Sequence, residues 1–159
     1  MAADDRAPMQ DVLGKALGAL RRRERTASEL HAWLRERDCD EDLAEDVIAE
    51  LVELGEIDDE RFAFAYAADK RELSGWGAHR IAAALTERGI GPGLAERAAS
   101  EPREAELERA VELVVAKGED LADERGRARA LSHLTRRGYE YELAYDAVRR
   151  AEGNGSRAA

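Results

Sequence analysis

The chain carries one segment three times: LRERDCDEDLA at residues 34–44, LTERGIGPGLA at residues 85–95 and LTRRGYEYELA at residues 134–144. The three copies align without gaps, at offsets of 51 and 49 residues. Each copy places leucine first, arginine three positions later and the pair Leu-Ala at its end. A period of about fifty residues accommodates about three short helices and is typical of stacked repeat architectures.

Local signals predict helices within each copy. Thr26-Ala-Ser-Glu29 fits a capping box, in which the threonine hydroxyl and the glutamate carboxylate satisfy two backbone N–H groups at a helix start. Asp40 suits the start of the next helix, and Gly55 suits its end. Trp33 falls on the same helical stripe as flanking leucines, so we expect it in the core.

The composition favours helix throughout, because the apolar fraction of 44% is dominated by alanine and leucine, with few β-branched residues. The predicted fold is all-α, an elongated array of three tandem three-helix repeats in which neighbouring units share a core. The predicted segments are repeat 1 at 10–57, repeat 2 at 58–101, repeat 3 at 102–151 and a disordered tail at 152–159.

Charge is unevenly distributed along the chain. The formal net charge is −10, and residues 38–60 contain twelve acids without a lysine or arginine. Basic residues concentrate instead at 21–25 and at 125–137. An acidic protein repels phosphate at long range, which argues against tight non-specific binding to naked DNA.

The sequence carries no recognisable catalytic, cofactor or metal motif. Gly75-Trp76-Gly77 lacks the Lys-Ser/Thr of a phosphate-binding loop, and the histidines have no cysteine partners at metal-ligand spacing. The acids at 56–60 are better explained as helix caps than as a magnesium site. The single cysteine, Cys39, and the absence of an apolar run of about 20 residues favour a cytoplasmic protein that does not enter a membrane.

Seven residues are candidates for contact with a partner. Most are basic, and several flank the Gly-Trp-Gly break; they are Lys70, Arg71, Trp76, Arg80, Arg125, Arg127 and Arg136. For Trp76 a surface anchor and packing between repeats are equally compatible with the pattern. The recurrent arginines Arg37, Arg88 and Arg137 are better explained as cations that stabilise helix C-termini.

Two segments resemble the signature of RecX regulatory proteins. The first is LGEIDDERFA at residues 54–63, and the second runs from Lys70-Arg71 through the pattern G-x-x-R-I-x-x-x-L-x-x-R-G-I at residues 77–90. The resemblance extends over about residues 12–150 and includes the three helical repeats.

This resemblance implies a function. RecX proteins bind the RecA recombinase, mainly the filament that it forms on single-stranded DNA, and inhibit its ATPase and recombinase activities. They act in DNA repair, recombination and the SOS response, and they are not enzymes. The chain is accordingly expected to be a monomer that binds the RecA filament, with contact to single-stranded DNA ranked below contact to RecA.

Two alternatives remain open from the residues themselves. One is a small helical DNA-binding regulator that would read DNA with a basic helix at 125–137, although this segment lacks the Asn or Gln that often reads adenine. The other is an adaptor solenoid for an unrelated protein partner, which the composition does not exclude.

Overall fold

The computed structural model describes residues 3–158, with side chains described for residues 8–158. Within this range the chain forms nine α-helices and no strand. They are α1 (Ala3–Arg22), α2 (Ala27–Arg35), α3 (Glu41–Glu53), α4 (Asp59–Ser74), α5 (Ala78–Glu87), α6 (Pro92–Ala99), α7 (Arg103–Lys117), α8 (Glu124–Arg136) and α9 (Tyr141–Ala158).

The threefold repeat predicted from the sequence is confirmed as three successive groups of three helices, α1–α3, α4–α6 and α7–α9. The first leucine of each repeated segment lies at the same place, near the C-terminus of the second helix of its group. Leu34, Leu85 and Leu134 are all buried, with exposed fractions of 2%, 0% and 0%. The sequence alignment therefore identifies equivalent core positions.

The helix ends follow the local signals. The Thr26 hydroxyl accepts a hydrogen bond from Glu29 N at 3.1 Å, and the Glu29 carboxylate accepts one from Thr26 N at 3.2 Å. Asp40 accepts from Leu43 N at 3.4 Å at the start of α3. Gly55, the predicted helix end, has a φ of 75°, and Gly89, Gly118 and Gly138 follow other helices with φ between 73° and 94°.

Two compact units make up the chain. The first contains residues up to Phe62 together with Glu87–Gly91. Its core lies among α1, α2 and α3. The apolar side chains buried there are Ala16, Ala19, Leu30, Leu34, Ala44, Val47, Leu51 and Ile57.

The second unit contains Ala63–Thr86 and the chain from Pro92 onward. In its C-terminal part α9 packs against both α7 and α8. The buried cluster there is Leu107, Ala110, Val114, Ala130, Leu134, Tyr139, Leu143, Ala144, Ala147, Val148 and Ala151. Tyr139 belongs to this core and also carries a polar group toward the site described below.

The structure differs from the sequence prediction at both ends of the helical region. Helix α1 begins at Ala3, upstream of residue 10, where the first repeat was predicted to begin. Helix α9 continues to Ala158, although a disordered tail was predicted at residues 152–159. The extension has a local anchor, because Ala151 is buried and Glu152 pairs with Arg127 at 3.6 Å.

Candidate functional site

The Gly-Trp-Gly break forms a tight turn between α4 and α5. Trp76 N donates to the Lys70 carbonyl at 3.1 Å, which closes the C-terminus of α4. Gly77 N then donates to the Arg137 carbonyl at 2.8 Å, so the start of α5 is capped by the end of α8. The arginine of the third repeated segment therefore holds the turn through its backbone.

Close backbone contact makes this arrangement specific to glycine at position 77. A Cβ atom there would lie 2.6 Å from the carbonyl carbon and oxygen of Gly138, well inside van der Waals contact. Two side chains of the third repeat also bind the turn. The Arg137 guanidinium donates to the Ser74 carbonyl, and the Tyr139 hydroxyl donates to the Gly75 carbonyl at 3.0 Å.

Beside this turn lies a cleft of about 1010 Å³, which we call the cationic cleft. It is bounded by the last turn of α4, the Gly-Trp-Gly turn, the start of α5 and facing positions of α7 and α8. Its lining residues are Arg71, Glu72, Leu73, Ser74, Gly75, Trp76, Arg80, Arg109, Glu112, Leu113, Ala116, His133, Arg136 and Arg137. Five arginines against two glutamates make its local charge opposite to that of the whole chain.

One carboxylate, that of Glu101, holds two of the arginines that line the cationic cleft. Glu101 binds Arg71, with Oε2 3.1 Å from Nε, and Arg109, with Oε1 2.6 Å from Nη2. The three side chains are 13–20% exposed, so the ion pairs are largely shielded from water. Arg71 also donates to the Ala98 carbonyl at 2.8 Å. Arg71 is therefore held inside the fold.

Arg109 connects this ion pair to the turn. It donates to the Tyr139 hydroxyl at 3.2 Å and to the Trp76 carbonyl at 3.5 Å. Burial alone lowers the pKa of Arg109, but its hydrogen bonds to Glu101 and Tyr139 outweigh that effect and the net pKa is raised. Arg109 therefore stays charged and holds the Trp76 backbone in place.

Trp76 stands at the edge of the cleft with two cations over its ring. The Lys70 ammonium lies 4.6 Å and the Arg80 guanidinium 4.1 Å from the ring centroid. Both distances are within the range of cation–π attraction, which is worth about 0.5–1 kcal/mol at exposed sites. The half-buried indole thus positions two positive charges near the opening of the cleft.

His133 lies on the α8 wall of the cleft. Burial lowers its pKa, and the neighbouring cations Arg137, Lys117 and Arg136 lower it further. The imidazole is accordingly neutral at pH 7. Two of these three cations, Arg137 and Arg136, line the cationic cleft.

The structure brings five of the seven sequence-predicted site residues together. Arg71, Trp76, Arg80 and Arg136 line the cationic cleft, and Lys70 joins them through the Trp76 ring. Arg80 and Arg136 are exposed. Arg71 and Arg80 line the same cleft, on either side of the turn between their helices, but Arg71 is engaged with Glu101.

The other two predicted residues lie outside the cationic cleft. Arg127 donates to the carbonyls of Leu121 and Ala122 at 2.9 and 3.2 Å, which ties the loop before α8 to that helix. Arg125 is exposed on α8. The basic run in this part of the sequence therefore divides into a structural arginine and a surface arginine.

The recurrent arginine slot has a more specific role than a helix-end cation. Arg37 follows that interpretation, because it donates to the Trp33 carbonyl of its own helix at 3.1 Å. Arg88 instead binds Glu29 of the preceding repeat through two hydrogen bonds of 2.6 and 3.0 Å. Arg137 binds the preceding repeat through Ser74. In the second and third repeats the slot therefore joins consecutive repeats.

Three residues of the site were not predicted from the sequence: Glu101, Arg109 and Leu73. Glu101 and Arg109 meet only through folding, and no local pattern distinguishes them from other charged residues of a chain that is 38% charged. Leu73 is 83% exposed and lines the cationic cleft. In the sequence it is a single leucine near the end of a helix, and nothing there indicates a place in a site.

The acids at the start of α4 act as helix caps, in line with the sequence interpretation. Asp58 accepts from Arg61 N at 3.0 Å, and Asp59 accepts from Ala27 N at 2.9 Å. Among the residues that the structure describes, no group of three or more His, Cys, Asp or Glu side chains converges as a metal site requires.

Comparisons with known proteins agree with this helical repeat architecture. Residues 13–51 match the model of the first three-helix domain of RecX, and residues 58–98 match that of the second. The chain is 31% identical to Regulatory protein RecX of Mycolicibacterium smegmatis, over 92% of this chain and 82% of that protein. It is 34% identical to Regulatory protein RecX of Mycolicibacterium vanbaalenii, over 83% of this chain and 77% of the relative.

A crystal structure of RecX from Lactobacillus salivarius superimposes with a TM-score of 0.80 at 24% identity, covering 95% of this chain and 99% of that chain. The structural match supports the fold. The family-model matches and the curated relatives go further. The chain belongs to the RecX family of regulatory proteins. No described helix is both long enough and apolar enough to cross a membrane.

Proposed function

We propose that this chain binds the RecA recombinase, mainly as the filament on single-stranded DNA, and inhibits its recombinase and ATPase activities. Membership of the RecX family is the observation that carries the proposal. The relatives are named regulatory proteins, which favours binding to a partner over catalysis of a reaction.

The cationic cleft supports a binding role in the second and third repeats. The side chains of Arg137, Tyr139 and Arg109 donate hydrogen bonds to backbone carbonyls of its turn. The cations at its opening therefore lie beside a turn that is held by several hydrogen bonds. Exposed Arg80 and Arg136 are available at that opening. Arginine suits such a surface, because its planar guanidinium pairs with carboxylate or phosphate through two hydrogen bonds.

Protein contact is favoured over direct DNA contact. The net charge of −10 opposes approach to an exposed phosphate backbone. The basic helix α8 is also a poor recognition helix. Arg127 is bound to loop carbonyls, and Arg129 binds Glu119 at 2.9 Å, so both are engaged within the protein. We therefore propose that RecA, and not this chain, makes the direct contact with single-stranded DNA.

The setting proposed for this activity is the cytoplasm, with the chain acting as a monomer in DNA repair, recombination and the SOS response. The direct test is the DNA-dependent ATPase of purified RecA on single-stranded DNA, measured while this protein is titrated in. ATPase activity should fall with increasing protein, and strand exchange should fall with it. Unchanged ATPase and strand exchange at saturating protein would refute the proposed function.

A charge-reversal variant tests whether the cationic cleft is the binding surface. Arg80→Glu with Arg136→Glu changes two exposed side chains and should leave the helix content unchanged. Inhibition should weaken by tenfold or more, which corresponds to about 1.4 kcal/mol of binding free energy. The matched control, Arg22→Glu with Arg97→Glu, makes the same charge change at exposed positions outside the cleft.

If both double variants inhibit RecA as well as the unsubstituted chain, the cleft is not the binding surface. Arg71→Glu is unsuitable for this purpose, because it would place a second carboxylate beside Glu101 and disturb the fold.

A further inference from the structure

The cations of the cationic cleft fall into two groups. Arg71 and Arg109 share the Glu101 carboxylate as their ion-pair partner, and Arg137 is bound to a backbone carbonyl, so these three build the walls. Arg80 and Arg136 are exposed at the opening. The link between these two is a long hydrogen bond of 3.4 Å from Arg80 to the Arg136 carbonyl, which leaves most of their donors for a ligand.

An apolar element lies beside these cations. Leu73 is 83% exposed in the last turn of α4, and Leu113 and Ala116 face the same cleft from α7. A single exposed leucine on a protein surface is ordinary. Here, however, it lines a concave site together with other apolar side chains, so a ligand that fits the cleft would cover it.

The volume sets the scale of the occupant. About 1010 Å³ is at the upper end of the range for small-ligand sites, which is about 300–1,000 Å³. The cleft is therefore large enough for a short peptide segment, and its mixture of cations and aliphatic side chains suits a segment with acidic and aliphatic residues.

Three features favour such a segment over single-stranded nucleic acid. Two cations already lie over the Trp76 ring, at 4.6 and 4.1 Å, where a base would stack. Glu72 and Glu112 interrupt the positive lining of the cleft, which suits a segment with a few separated carboxylates better than a continuous run of phosphates. The whole chain is strongly acidic, so only a short anionic segment that reaches the local positive field gains from it.

We propose that the cationic cleft binds an acidic segment of RecA, with its carboxylates on Arg80 and Arg136 and an aliphatic side chain against Leu73. This inference rests on the proposed function, because it specifies which chemistry of that partner the cleft recognises. It also separates two roles: the Glu101 network shapes the site, and the exposed arginines contact the ligand.

Site-specific photocrosslinking provides the test. Leu73 is replaced by benzoylphenylalanine, and the labelled full chain is irradiated with purified RecA on single-stranded DNA in the presence of ATP. The exposure of Leu73 makes the substitution tolerable. The matched control carries the same photoreactive residue at Val115, which is 64% exposed on α7 and does not line the cleft.

The expected adduct from position 73 is a RecA peptide in which Asp and Glu outnumber Lys and Arg. Its yield should fall at least tenfold when Arg80→Glu and Arg136→Glu are added, and the Val115 variant should not label that peptide. An adduct on the DNA, an adduct on a neutral or basic RecA segment, or the absence of any adduct while ATPase is inhibited would each overturn the inference. Those results would leave the proposed function standing, whereas failure of the unsubstituted chain to inhibit RecA would remove the function itself.

Discussion

Replacing Glu101 by glutamine should destabilise the second unit and distort the cationic cleft. The carboxylate forms ion pairs with Arg71 and Arg109 at once, at distances of 3.1 and 2.6 Å. Glutamine keeps one acceptor oxygen, but its NH₂ group would face a guanidinium, and both arginines would lose their counter-charge. The substitution therefore leaves two shielded cations without compensation.

The magnitude follows from how far these groups are shielded from water. Removing one partner of a buried ion pair costs about 3–5 kcal/mol, whereas an exposed pair is worth about 0–1 kcal/mol. With exposures of 13–20% this cluster lies closer to the buried limit, so we expect a loss of about 2–3 kcal/mol. For a chain of this size the melting temperature should fall by roughly 4–12 °C.

The assay is urea and thermal unfolding followed by circular dichroism, combined with the RecA ATPase titration on the folded variant. Glu96→Gln is the matched control, because it makes the same chemical change at an exposed position on α6. The control should stay within about 0.5 kcal/mol of the unsubstituted chain. If Glu101→Gln behaves like the control, Glu101 does not hold the cleft together and the assignment of Arg71 to a structural role is wrong.

Three further predictions concern stability. Leu85→Ala should lower the free energy of unfolding in urea by about 2–5 kcal/mol, because the side chain is fully buried. Leu73→Ala is the control and should lower it by less than about 0.5 kcal/mol, because Leu73 is 83% exposed. Equal losses of unfolding free energy would contradict the repeat alignment. Gly77→Ala should lower the melting temperature, because the added Cβ would lie 2.6 Å from the Gly138 backbone. Gly93→Ala is the control and should raise the melting temperature slightly, because Gly93 lies within α6 and an added Cβ there meets no atom within 4 Å. The reverse order of melting temperatures would rule out the close contact at Gly77. Burial raises the pKa of Glu29, but its hydrogen bonds and its charge interaction with Arg88 outweigh this effect, so the net pKa lies below the usual range of a glutamate. The resulting stabilisation is present at pH values above the unfolded-state pKa and is lost as pH falls through the folded-state pKa. Glu29→Gln should therefore flatten the acid limb of a stability–pH curve.

Much of the fold could be predicted from the sequence because the relevant forces are local or periodic. The capping box at Thr26 and the glycines at helix ends act within a few residues of their position. The repeated leucines identify equivalent core positions because each occupies the same place in the second helix of its repeat, and all three are buried there. The C-terminal end of α9 was less predictable, because its continuation involves the burial of Ala151 and the ion pair between Arg127 and Glu152.

The candidate site was only partly predictable. The sequence singled out the Gly-Trp-Gly break and the cations around it, because glycine-flanked tryptophan and nearby basic residues are visible as a pattern. It did not separate Arg71, which is bound to Glu101, from Arg80, which is exposed at the cleft opening. Both are arginines near the same turn, and their difference is one of burial and partners.

By itself, the sequence determined that this protein is helical and threefold repeated, since helix propensity, capping and hydrophobic period are properties of neighbouring residues. Its relation to RecX also comes from the sequence, through the matches of residues 13–51 and 58–98 to the RecX domain models. Tertiary structure alone decided which charges build the cationic cleft and which remain for a partner. Electrostatic roles depend on distance and shielding in space, and the partners of Glu101 come from two different helices, α4 and α7. The spacing of these residues along the chain does not predict the contact of Glu101 with Arg71 and Arg109, because that contact forms only when the second and third repeats pack together.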